Sequence, residues 1–215
     1  MGTNQVQMDY AALISEAWGK LKNNLVNFIL ATIIYAAICT VLTSLQTSIT
    51  SLILFIIAGP LYLGFAQMAL NAARDEKVEL GLLFSGFKNF GTACLAGILV
   101  NIFVSIGSVL CIIPGILVST LYMFTFFYMA NGVNNFWEAM ESSRINVMAN
   151  FLPWLLLMLV MIALNIIGAL ALIIGMLITI PLTLIIIAIS FDRFLMVNVE
   201  VIPVVDETPI DNDMV

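Results

Sequence analysis

The residues of this sequence that come closest to a reactive arrangement are Glu138 and Glu141, in the stretch "EAMESSR". They are candidate acids, but Arg144 follows Glu141 by three positions, and at that helical spacing a surface ion pair is the ordinary outcome. Cys39, Cys94 and Cys111 stand singly in apolar stretches, with no C-x-x-C and no histidine anywhere in the chain. A disulfide framework and a zinc centre both fail on that count, which leaves three small buried hydrophobes. Patterns that carry hydrolase, metalloprotease or nucleotide chemistry (GxSxG, HExxH, GxxxxGKS/T, or GxGxxG between strand and helix) do not occur. No catalytic residue, metal or cofactor is expected.

What remains is neutral and polar, embedded in apolar runs. Gln67 and Asn71 continue a helical face that begins with Pro60 and Gly64. Ala93, Gly97, Asn101 and Ser105 step by four, with Ser108 one turn on; Ser119, Tyr122 and Thr125 follow one side of another segment, and Asn165 and Gly168 lie on a third. Small residues four apart let helices approach closely, and amides can bridge them for roughly 0.6–2 kcal/mol each. The same residues could instead line a cleft for a lipid or a small molecule. Three prolines sit in isoleucine-rich settings: Pro60 in "FIIAGP", Pro114 in "CIIP" and Pro181 in "LITIP". Inside a helix each would remove a backbone hydrogen bond and kink it, although Pro114 stands close enough to the start of its span to begin the helix instead. Such kinks can serve packing, or can frame a substrate site as in secondary transporters.

The elements that must hold these residues follow from composition. Hydrophobic residues make up 62% of the 215 and charged residues 9%, against roughly 25% charged in a soluble domain. So much apolar side chain cannot be hidden inside a water-soluble fold of this size. A membrane span needs about 20 apolar residues, and six such stretches are legible: 25–45, 51–73, 90–110, 112–130, 152–170 and 173–191. The first begins too late and runs too long for a cleavable signal. Connections near 46–50, 111–114 and 171–175 are very short, whereas the others are longer and carry nearly all the polar residues. The expected fold is therefore all-α, a polytopic bundle of three helical hairpins, with units at about 10–74, 78–131 and 136–195 in a single domain over 1–197. No Asp, Glu, Lys, Arg or His lies inside these spans, although proton- or ion-coupled transport normally needs an intramembrane acid.

Charge orients the bundle. Lys20, Lys22, Arg74, Lys77, Lys88, Arg144 and Arg193 all fall outside the three short connections. Basic residues are retained in the cytoplasm, so both termini are expected there. Asn27-Phe28, Asn89-Phe90 and Asn150-Phe151 recur at spacings of 62 and 61 residues, each where a span begins. Each pair follows a short amphipathic stretch: Leu13, Ile14, Ala17, Trp18 and Leu21; then Leu80, Leu83, Phe84 and Phe87; then Phe136, Trp137, Met140, Val147 and Met148. A 3.6-residue period with charge opposite suits a helix lying in the membrane interface, and the recurrence points to a threefold internal repeat.

The formal charge of −6 comes largely from 198–215, where Glu200, Asp206, Glu207, Asp211 and Asp213 stand without a base. That stretch reads as a flexible acidic cytoplasmic tail, with valines suited to strand addition on a partner. Before it, eight acids face seven bases, so the balance indicates no nucleic-acid partner.

"LFSGFKNFG" at 83–91, "IIPGI" at 112–116, "EAMESS" at 138–143 and "IPL" at 180–182, in this order and spacing, resemble a bacterial family of six-span integral membrane proteins of unknown function. That family looks related to the membrane portion of some glycerophosphoryl diester phosphodiesterases. The resemblance covers roughly residues 59–195. It implies a helical protein of the bacterial cytoplasmic membrane without catalysis, and it carries over no site residue. The expected function is thus a non-enzymatic membrane module that binds lipid or a partner protein; the alternative is a small permease or exporter for a neutral or apolar solute.

Overall fold

Among the described residues, 8–45 and 47–196 of a computed structural model, the chain forms helices and no strand. The acidic stretch 198–215 lies outside them. In order, the helices are α1 (Tyr10–Asn23), α2 (Leu25–Ser44), α3 (Ser48–Ala73), a 3₁₀ helix (Leu80–Asn89), α4 (Phe90–Leu110), α5 (Ile112–Tyr122), α6 (Thr125–Ala130), α7 (Phe136–Ala149), α8 (Phe151–Leu170) and α9 (Leu172–Ser190). A π-helical turn, Phe191–Met196, extends α9. Six segments are long and apolar enough to cross a membrane, and the protein is a multi-pass membrane helical bundle. The hairpins α2–α3, α4–α5 and α8–α9 close through short turns at one end, here the turn end. The longer connections gather at the other, the linker end.

The second helix of each hairpin is central and the first peripheral. The linker-end halves of α3 and α9 are almost wholly buried, from Gly59 to Leu70 apart from Tyr62 and Gln67, and from Pro181 to Phe191. Helices α2, α4 and α8 hardly touch one another, but each packs on a central neighbour. Toward the turn end Ile49, Val109, Leu110, Ile112, Ile167 and Leu170 are all exposed, as lipid-facing side chains are. Close packing thus concentrates in the linker-end half. Glycines set the closest approach: a Cβ built on Gly97 would lie 2.7 Å from Gly59 Cα, and one on Gly59 would collide with the Ala93 carbonyl. At van der Waals density there is no room for either.

Pro60 and Pro181 are interior residues of α3 and α9, as the sequence indicates. Pro114 is different. It is the third residue of α5, where its missing N–H is one that the first turn leaves unpaired anyway, so it starts a helix instead of kinking one. The fourth span is interrupted elsewhere, at Met123-Phe124, without proline or glycine.

The membrane-entry pairs also need one revision. Asn89 and Asn150 are the N-cap residues of α4 and α8, with Phe90 and Phe151 opening those helices. In the first hairpin the N-cap is Asn24, and Asn27-Phe28 stands one turn inside α2. There Phe28 is fully buried and Asn27 Nδ2 donates to the Val78 carbonyl at 2.8 Å. An asparagine at the N-cap recurs, in each case without a side-chain cap bond; the aromatic beside it does not recur.

Two of the amphipathic stretches are α-helices of 14 residues whose first turns are capped by a side chain. Asp9 accepts from Ala12 N, and Asn135 accepts from Trp137 N and Glu138 N. Leu13, Ala17 and Leu21 of α1 are buried against the bundle, with α9 as the main neighbour, while Trp18 faces outward. The second stretch is a 3₁₀ helix, so its side chains repeat every three residues. Leu80, Leu83 and Gly86 form one column turned toward α3, whereas Phe84 and Phe87 belong to an exposed column. The 3.6-residue stripe joining all four was therefore the wrong period. This helix rests on the middle of α3, with the Leu83 carbonyl against Gly64 and Gly86 against the Pro60 carbonyl.

Candidate functional site: a cleft shared by six spans

Midway along the bundle, where α2, α4 and α8 stand apart around α3 and α9, a half-open cleft of about 420 Å³ remains. That lies within the range of about 300–1,000 Å³ common for small-molecule sites. Every span contributes to its wall: Tyr35 from α2, Gly59 and Tyr62 from α3, Asn101 from α4, Ser119 and Tyr122 from α5, Met161 and Asn165 from α8, and Thr183 from α9. Tyr62 shows what the cleft does to its surroundings. It sits between Leu61 and Leu63, which are 1% and 6% exposed, yet it is itself 37% exposed. Its ring leans on Phe126 with centroids 4.9 Å apart, and Tyr35 meets Phe65 edge-on at 5.7 Å.

Asn101 and Asn165 both line this cleft, and neither amide bridges two helices. Asn101 Nδ2 donates to the Gly97 carbonyl at 2.8 Å, and Asn165 Nδ2 to the Met161 carbonyl at 2.9 Å, each within its own helix. The amide oxygens keep their acceptor capacity. Ser119 returns its hydroxyl proton to the Gly115 carbonyl at 2.8 Å. The wall is thus neutral, with amide and phenol groups set among methionine, valine and isoleucine, and it holds no Asp, Glu, Lys or Arg. Ser105 lies one turn beyond Asn101 and is exposed outside the cleft.

Gln67 and Asn71 are elsewhere. Gln67 Nε2 donates to Asn71 Oδ1 at 3.2 Å, and Asn71 Nδ2 donates to the Lys77 carbonyl at 3.2 Å, so together they brace the turn that follows α3. That helix ends with Asp75 at φ 57°, Asp75 N bonded to the Ala72 carbonyl and Glu76 N to the Asn71 carbonyl, the double closure of a Schellman motif. Of the cysteines, Cys39 and Cys94 are half-buried; Cys111, at the turn between α4 and α5, is exposed.

The linker end beneath the cleft is closed in two layers. The first is aromatic: Phe124 meets Trp154 edge-on at 4.9 Å, and Phe191 receives Phe124, Phe127 and Tyr128 within 4.9–6.1 Å. The second is ionic. Arg74, the C-cap of α3, forks onto Asp192 through Nε at 2.9 Å and Nη2 at 2.7 Å, and donates to Asn131, the C-cap of α6, at 2.7 Å. Asp192 holds the Arg74 guanidinium above its ordinary pKa by hydrogen bonding. Arg193 pairs with Glu16 at 2.6 Å, and Lys20 with Asp75. One guanidinium thereby joins the linker ends of all three hairpins.

Glu138 and Glu141 do not converge on the cleft. Glu141 is exposed to about 38% and pairs with Arg144, whose guanidinium draws the carboxyl below its ordinary range. Among the described residues no cluster of acids, cysteines or histidines could hold a metal. Asn101, Asn165, Ser119 and Tyr122 were all visible as polar residues within apolar segments. Tyr35 and Tyr62 were not singled out, although a phenol halfway along a span is itself such a signal. Compared with protein-family models, with curated proteins and with solved structures, the chain matches none.

Proposed function

We propose that this protein is a non-enzymatic module that takes up an uncharged, mainly apolar molecule from the bilayer into the central cleft. The single observation that carries this reading is a wall drawn from all six spans, with amides and phenols and without an ionisable acid or base. A charged ligand would enter such a wall without a counter-ion, at a cost of several kcal/mol. A hydroxyl or carbonyl head group would find donors and acceptors in Tyr35, Tyr62, Tyr122, Asn101 and Asn165, and its chain would lie against Met158, Met161 and Ile162. The absence of paired acid and base in the cleft is the ground for reading it as a binding site and not a catalytic one.

The resemblance to the bacterial six-span family supports a place in the bacterial cytoplasmic membrane. The distribution of Lys and Arg supports a linker end, and both termini, on the cytoplasmic side. The second reading, a permease for a neutral solute, draws on one further observation: Pro60 directly follows the cleft residue Gly59, and Pro181 stands two residues before Thr183. Interior prolines beside a site near mid-membrane are a feature of transporters.

The test uses a photoactivatable fatty alcohol as probe, in liposomes that contain the purified protein. Labelled peptides should map to the cleft segments of α3, α4 and α8, and Asn101→Leu with Asn165→Leu should reduce labelling at least fivefold while the thermal melt is kept. Labelling confined to the lipid-facing perimeter, or unchanged in the double variant, would overturn the reading. Flux of an uncharged solute across the same liposomes, abolished in that variant, would replace binding with transport.

A further inference from the structure

We propose that Lys88 and the aromatic ladder beside it form a site for one anionic phospholipid, independent of the central cleft. The ladder is a consequence of helix type. In a 3₁₀ helix residues three apart eclipse one another, so Phe84 and Phe87 stand in one column, which Phe90, the first residue of α4, continues. Their ring centroids are 6.3 Å and 6.1 Å apart, and all three are exposed. The opposite column, Leu83 and Gly86, is buried against α3 at Gly64 and Pro60. Those two residues lie 12 and 8 positions inside the second span, which begins at Leu52. A ladder on the far side of a helix packed there faces the bilayer, and it offers an acyl chain a continuous aromatic strip.

Lys88 supplies the second observation. It falls within the continuous apolar segment Leu80–Leu110, so the span that the sequence shows as free of charge has a cation on its entry segment. The other cations of the described residues have partners: Lys20 with Asp75, Arg74 with Asp192, Lys77 with Glu79, Arg144 with Glu141, Arg193 with Glu16, and Lys22 over the Trp18 ring at 5.3 Å. Lys88 has neither a carboxylate within 4.0 Å nor a ring among them. An ammonium in such surroundings snorkels along its stem toward the boundary of the hydrocarbon, where the abundant anion is a phospholipid phosphate. The neighbouring amide does not compete, because Asn89 Nδ2 is committed to Asn134 Oδ1 at 3.3 Å. Phosphate at Lys88 and chain along Phe84, Phe87 and Phe90 use the charge and the strip together.

Native mass spectrometry of the full chain, released from nanodiscs that hold equal phosphatidylglycerol and phosphatidylcholine, tests the site. The expected result is one retained phosphatidylglycerol per chain. Lys88→Gln should lower its occupancy at least fivefold, and Phe84→Ala with Phe87→Ala should lower it to a similar degree. Lys77→Gln, a paired cation outside the strip, should leave it unchanged. Thermal melts and fatty-alcohol labelling of the cleft should persist in Lys88→Gln, which separates this site from the cleft. Equal retention of both lipids, or undiminished phosphatidylglycerol in Lys88→Gln, would overturn the proposal.

Discussion

The Ser143 hydroxyl on α7 accepts a hydrogen bond from the Phe124 amide at 3.2 Å, inside the break between α5 and α6. The same hydroxyl donates to the Leu121 carbonyl at 2.7 Å. A helix that stops for two residues within a membrane frees a donor and an acceptor that lipid cannot satisfy; one serine from outside the helix satisfies both. Ser143 is fully buried, so water has no access to the gap. The break lets Tyr122 face the cleft while Phe124 joins the aromatic layer beneath it.

Replacing Ser143 with alanine should therefore cost more than a hydrogen bond. It leaves two buried backbone groups unpaired, at about 1–3 kcal/mol for each. Thermal unfolding in detergent should show a clear fall in midpoint, with Ser143→Thr close to the parent and Ser143→Ala far below it. An unchanged midpoint in Ser143→Ala would show that the break does not depend on this hydroxyl.

Arg74 and Asp192 couple hairpin one to hairpin three through a two-pronged contact, with side chains 32% and 26% exposed. An exposed pair contributes about 0.2–1 kcal/mol; the forked geometry places this one at about 1 kcal/mol. A double-mutant cycle of Arg74→Gln and Asp192→Asn, read by thermal unfolding at low and high salt, should return that coupling at low salt and a smaller one at high salt. Coupling near zero would mean that aromatic packing alone holds the linker end.

The spans were legible because lipid imposes their length and polarity directly on the sequence. The stretch expected at 90–110 coincides with α4, and that expected at 25–45 ends one residue beyond α2. Other features depend on contacts between segments distant in sequence. The 3₁₀ helix could not be foreseen from Leu80, Leu83, Phe84 and Phe87, since a stretch of ten residues fits periods of 3.0 and 3.6 about equally well. It is held by the approach of Gly64 to the Leu83 carbonyl and of Gly86 to the Pro60 carbonyl, segments distant in sequence, and neither glycine announces its partner. The break after Tyr122 was hidden for the same reason, since its partner is a serine 19 residues beyond Phe124. At the cleft, Asn101 and Asn165 stood out by type. Their intrahelical bonding, and with it the difference between glue and lining, depends on how far the neighbouring helices stand from each amide, which residue type does not encode.

Tyr10 joins the start of α1 to the start of α8, its hydroxyl donating to the Pro153 carbonyl at 3.2 Å. Desolvation raises its phenol pKa above the ordinary value of 10.0. A folded-state pKa above the unfolded one means that the unfolded chain loses the proton first. Stability from this group is thus complete below pH 10 and declines as pH rises through the raised folded value. Tyr10→Phe should unfold with a shallower alkaline limb than the parent as pH rises above the ordinary phenol value of 10.0, and with no difference in pH dependence well below it. Superimposable alkaline limbs would remove Tyr10 from the account.

Thr125 and Ser190 are wholly buried, and their hydroxyl oxygens have no hydrogen-bond partner among the described residues. Each is next in sequence to a member of the aromatic layer, Phe124 and Phe191. A buried hydroxyl without a partner costs about 1–3 kcal/mol, whereas an apolar group of the same shape does not. Thr125→Val and Ser190→Ala keep the volume nearly constant and remove the oxygen. Each should raise the thermal midpoint by a stabilisation of about 1 kcal/mol, and the two should add if the sites are independent. Measured midpoints that fall instead would show that these oxygens hold a buried water, because removing a partner from such a water is costly. The aromatic layer would then be a hydrated seal beneath the cleft, and exchange of that water would become a measure of how tightly the linker end is closed.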